Sequence, residues 1–78
     1  MKNWCKIIEL EKYDILIQRL SNDDDGEHIE FKMILDGVTA SFKASYEDDS
    51  DLADETFKKY SKEDAQKMLD STLEMFKP

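Results

Sequence analysis

Asp36 and Gly37 lie between two segments whose apolar residues recur at every second position, and that arrangement fixes how the middle of this chain can fold. Upstream, Ile29, Phe31, Met33 and Leu35 alternate with His28, Glu30, Lys32 and Ile34; downstream, Val38, Ala40, Phe42, Ala44 and Tyr46 resume the pattern. A period of two belongs to a strand with one buried face. Asp followed by Gly tolerates the positive φ of a type I′ turn, so the dipeptide joins the strands through a two-residue loop and sets their register. Leu35 then faces Val38, Met33 faces Ala40, Phe31 faces Phe42 and Ile29 faces Ala44, all on one side. On the other side Glu30 meets Lys43 and Ile34 meets Thr39, the first pair setting opposite charges across the ladder.

Two further apolar runs, 4–10 and 13–20, precede this hairpin and read as a second one. Its register stays open. Glu11 and Lys12 do not favour positive φ, and Ile7 with Ile8, then Ile15, Leu16 and Ile17, put apolar groups on both faces. Strands buried on both sides, or covered by another subunit, give such a pattern; a helix over 7–20 is the competing reading. After 50 the period changes. Ala65, Met68, Leu69, Thr72, Leu73 and Phe76 form one stripe of an amphipathic helix over 62–76. Ser61 is its expected N-cap, accepting from the amide of Asp64, with Tyr60 packing on Ala65 as a staple. A shorter helix over 51–60, capped by Ser50, brings Leu52, Thr56, Phe57 and Tyr60 to one side. The expectation is one α+β domain over 1–78: a four-stranded antiparallel meander (4–10, 13–20, 28–36, 38–46), then helices 51–60 and 62–76, the longer one across the apolar face.

Composition narrows the function classes. With 78 residues there is too little interior for a second core. The single cysteine, Cys5, closes no intrachain disulfide, which points to a cytoplasmic setting. No stretch has the apolar length of a signal peptide or membrane span. Nineteen acidic against eleven basic residues give a net charge of -8, which repels phosphate backbones and anionic lipid and favours a basic partner.

The hairpin register also gathers this charge. Glu27 and Tyr46 face each other at its open end, so the loop 21–27 lies beside the segment 47–51. Asp23, Asp24, Asp25 and Glu27 come from the first, Glu47, Asp48, Asp49 and Asp51 from the second, and Asp54 with Glu55 extend the rim onto the following helix. One reading is a solvated surface that keeps the chain soluble. Another is docking of a basic protein surface, including the groove of a nucleic-acid-binding protein, where carboxylates stand in for phosphates. A third is a weak divalent-cation site, although placing Asp23, Asp25 and Gly26 at positions three, five and six of a calcium loop puts Lys32 where a bidentate Glu is required.

Catalytic chemistry finds little support. His28, the only histidine, has an outward phase, and no motif places a nucleophile beside it. Cys5 has no CxxC spacing and reads as a half-buried structural thiol. Two isolated glycines make no phosphate loop, and paired carboxylates need a cleft that a domain this small scarcely offers. No enzyme activity, metal or cofactor is expected. Of Met68, Met75 and Phe76, which together would make an adaptable binding ridge, only Met75 falls off the core stripe. The strand 38–46 is an edge whose outward residues Thr39, Ser41, Lys43 and Ser45 carry one charge, inviting a second copy, a partner strand or another part of the chain. Trp4, Ile7 and Ile34 are expected to add apolar area to the face away from the helices, which also favours a homodimer.

The leading expectation is therefore a cytosolic interaction module, an inhibitor or adaptor that docks a basic partner through the acidic rim. A structural protein that homodimerises through its sheet edge or outer face is the alternative, and a weak cation binder the third. In size, acidity and lack of a catalytic motif the chain resembles phage-encoded or mobile-element inhibitors that occupy basic grooves, a resemblance that implies mimicry of a phosphate backbone.

Overall fold

A computed structural model of the chain describes residues 3–22, 24, 26–35 and 37–75. Four strands, β1 (Asn3–Glu9), β2 (Asp14–Asn22), β3 (Gly26–Leu35) and β4 (Val38–Glu47), precede two helices, α1 (Ser50–Lys59) and α2 (Lys62–Met75). The strands form one antiparallel sheet in the order β1-β2-β3-β4, the expected meander, and both helices pack on one face of it. Phe76, the last residue of the expected stripe, lies outside the described residues.

The second hairpin has the register its turn dictates: Leu35 pairs with Val38, Met33 with Ala40, Phe31 with Phe42 and Ile29 with Ala44. Gly37 takes φ +77, the conformation a two-residue hairpin loop requires. In the first hairpin Glu9 pairs with Asp14, and the connection is closed by the Leu10 N–H donating to the Tyr13 carbonyl at 3.0 Å. This register carries the rows Ile8-Ile15-Met33-Ala40, Lys6-Ile17-Phe31-Phe42 and Trp4-Arg19-Ile29-Ala44 across the face beneath the helices. Ile15, Ile17, Ile29 and Met33 are buried there. Removing each from water contributes about 1.5–3 kcal/mol before ordering entropy is subtracted. The other face carries Ile7, Leu16 and Ile34, so the apolar groups on both sides of the early strands reflect one packed face and one open one.

Trp4 corrects an expectation. It shares the row of Arg19 and Ile29 and therefore lies on the helix face, its ring centroid 5.9 Å from that of Phe57. Ile7 and Ile34 do sit exposed on the outer face. Val38 and Phe42 occupy the helix side but remain 44% and 38% exposed, because β4 is the sheet edge and the helical cover thins there.

α2 begins as its sequence dictates. The Asp64 N–H donates to Ser61 Oγ at 3.2 Å, while Asp64 Oδ2 accepts from the Ser61 N–H and hydroxyl, each at 3.0 Å. This reciprocal arrangement satisfies two amides that the first turn would otherwise leave open. Ala65, Leu69 and Thr72 face the core, with Met68 and Leu73 partly covered. α1 differs in two respects. Its cap is Asp49, whose Oδ1 accepts from the Leu52 N–H at 3.0 Å, rather than Ser50. Its buried residues are Ala53 and Phe57, whereas Leu52 is 48% exposed. The reason for both is Arg19, which draws Ser50 and Asp54 toward the sheet and turns Leu52 away. At the far end of α1, Lys6 Nζ donates to the carbonyls of Phe57 and Tyr60, placing a cation where the helix dipole is negative. Burial holds its ammonium below the usual lysine range.

Candidate interaction surface

The acidic end is organised by an irregularity in the last strand pair. His28 pairs with Ser45, but Glu27 pairs with Glu47, so Tyr46 is an extra residue and the strand bulges. Glu27 therefore faces Glu47 instead of Tyr46. The bulged strand ends with Glu47 at φ 53, a left-handed conformation that costs a side-chain-bearing residue about 1–2 kcal/mol. Against it lies Gly26, at φ +68; a Cβ there would stand 2.7 Å from the Glu47 carbonyl oxygen. Gly26 and Glu27 at the start of β3 thus lie in backbone contact with Glu47 at the end of β4. The first is shorter than expected, because Ser21 and Asn22 extend β2 and Gly26 and Glu27 begin β3.

Beneath this end sits Arg19, buried completely on the helix face of β2. Its Nε donates to Asp54 Oδ1 at 2.9 Å, its Nη1 to the Leu20 carbonyl at 2.6 Å and its Nη2 to Ser50 Oγ at 3.2 Å, while Nη2 stands 2.8 Å from Glu27 Oε2. A guanidinium cannot shed its charge, so burying it is expensive unless carboxylates accompany it. Glu27 and Asp54 supply them, and with Ser50 they tie β2, β3 and α1 at one point. The sequence carried a signal for this residue: Arg19 continues the phase of Ile15 and Ile17, a core position occupied by a cation.

The ten expected rim residues consequently divide. Glu27 and Asp54 neutralise Arg19, Asp49 caps α1, and Glu55 pairs with Lys59 one helical turn on, a contact that holds the Glu55 carboxyl below its ordinary range. Asp24, Glu47, Asp48 and Asp51 are exposed. Asp23 and Asp25 lie outside the described residues.

Other candidate residues take the following places. His28 is on the outer face, as its phase indicates, but it is only 1% exposed and not a surface group. Leu20 and Ser45 flank it in its row, with Nδ1 3.2 Å from the Gly26 carbonyl and Nε2 3.5 Å from Glu30. Cys5 is exposed instead of half-buried, because β1 is the other sheet edge and Cys5 lies on its open face. Thr39, Ser41, Lys43 and Ser45 are all exposed along β4, and Met75 is exposed beyond the α2 stripe. Among the described residues no group of three or more His, Cys, Asp or Glu side chains is placed to hold a metal ion, and no helix is long and apolar enough to cross a membrane. No family model, curated protein or solved structure matches this chain.

Proposed function

We propose that this chain is a non-catalytic cytosolic interaction module whose acidic end docks a basic protein surface, as an inhibitor or adaptor would. The observation that carries the reading is Glu47 at φ 53. A glycine would occupy that position without strain, yet the chain places a carboxylate there, beside Asp48 and against the turn that bears Asp24. Strained positions that persist despite their cost are concentrated where a protein binds or reacts. Acidic residues on backbone segments held in contact also sum their fields, which attracts a cation-rich surface. A groove that ordinarily holds phosphates has the complementary charge.

Affinity capture tests this reading. The bait is the wild type beside a variant carrying Asp24→Asn, Glu47→Gln, Asp48→Asn and Asp51→Asn, with Glu27, Asp49 and Asp54 kept because they hold the fold. A basic protein retained by the wild type, released by high salt and lost by the variant is the expected result. Equal capture by both chains would reject the acidic end as the docking surface.

A further inference from the structure

We infer that β4 pairs antiparallel with β4 of a second copy of this chain, joining two four-stranded sheets into one of eight strands. The hairpin geometry prepares the edge. In a two-residue hairpin the closing pair, here Leu35 and Val38, exchanges backbone hydrogen bonds, so Val38, Ala40, Phe42 and Ala44 direct theirs toward β3. The alternate residues Thr39, Ser41, Lys43 and Ser45 direct their N–H and C=O groups away from β3, along an edge where the sheet order ends.

Beside that edge, on the helix side, Phe31, Phe42, Met68, Thr72 and Met75 border an apolar groove of about 390 Å³ between β4 and α2. A strand added to β4 would extend the floor of this groove and cover Val38 and Phe42. A second copy meets this edge without like charges face to face, and Phe42 sets the register. Between Val38 and Ser45 the only charged residue is Lys43. Pairing Ser41 with Lys43 of the second copy keeps the two lysines from facing each other, stacks Phe42 on its equivalent and sets Ala40 against Ala44. The same antiparallel arrangement sends the two Glu47 residues to opposite ends, eight ladder steps or about 26 Å apart along the strands once the bulge at Tyr46 is allowed for, well beyond the Debye length of ~8 Å. The acidic end thus does not oppose this contact, which is independent of the docking reading above.

Sedimentation across a wide concentration range tests the pairing through Ser41. Ser41→Glu sets a carboxylate against Lys43 of the second copy twice per dimer and should tighten dimerisation roughly two- to thirty-fold, while Ser41→Lys should weaken it by a similar factor. Net charge alone predicts the reverse, since the chain is already at -8 and a further carboxylate adds to the repulsion between copies. Ser41→Pro removes an N–H directed away from β3 and should yield a folded monomer, its fold checked by circular dichroism. A wild type that stays monomeric throughout would overturn the inference, as would a dimer that answers both charge variants alike. A dimer unaffected by Ser41→Pro would equally overturn it and place the contact on the outer sheet face.

Discussion

Arg19 shows how one side chain can be overlooked when a strand is read by its apolar residues alone. Its core phase was legible; its partners were not, because Glu27 and Asp54 are eight and thirty-five residues away and only the folded chain brings them together. Their side chains are 22% and 18% exposed, so removing the guanidinium leaves two carboxylates largely out of water. Arg19→Ala should lower the unfolding free energy in urea by about 3–5 kcal/mol. Arg19→Lys should recover little of this, since an ammonium cannot span both carboxylates and the Leu20 carbonyl as the fork does. At the start of α2 the hydrogen bonds from Ser61 hold the Asp64 carboxyl below its ordinary range. A depressed folded-state value contributes stability above the ordinary carboxylate pKa, lost as pH falls through the folded one. Ser61→Ala removes the hydroxyl donor but keeps the backbone one, so it should move the Asp64 titration only part of the way back toward the ordinary range in an NMR pH series and cost about 1 kcal/mol through the lost cap.

At the scale of elements, the second hairpin was readable because turn chemistry and burial pattern agree, and its first eight residue pairs from the turn were fixed by both. Beyond them the bulge at Tyr46 was hidden: Tyr46 continues the apolar alternation, and nothing in that pattern marks it as an additional residue. The first hairpin lacked a turn that demands positive φ, so only pairing in three dimensions set its register. α1 was placed within a residue or so, but its facing was set by an ion pair that apolar spacing does not record. The two glycines separate backbone conformation from packing. Gly37→Ala meets open space and should lose only the penalty of a left-handed residue, about 1 kcal/mol, whereas Gly26→Ala adds an overlap with the Glu47 carbonyl and should cost clearly more. Glu47→Gly relieves the strain at the bulge and should raise the melting temperature, while weakening capture of a basic partner.

Taken as a whole, the molecule carries a net charge of -8 and assigns its rim carboxylates unequal work. Composition and hairpin register point to an acidic end of the sheet. They could not distinguish the carboxylates that have partners within the fold from the others, a division set by Arg19, the Asp49 cap and the pairing of Glu55 with Lys59, although Asp49 and Glu55 are themselves exposed. If the solvent-facing group serves binding, its mutual repulsion costs more stability than the favourable place of Asp51 in the first turn of α1 returns. Thermal unfolding at low ionic strength, comparing the wild type with the chain bearing Asp24→Asn, Glu47→Gln, Asp48→Asn and Asp51→Asn, tests this most directly. An equal or higher melting temperature for the variant, with the difference shrinking as salt is added, is the predicted result. A variant that melts several degrees lower would show that these carboxylates support the fold as Glu27 and Asp54 do, and would contradict the account.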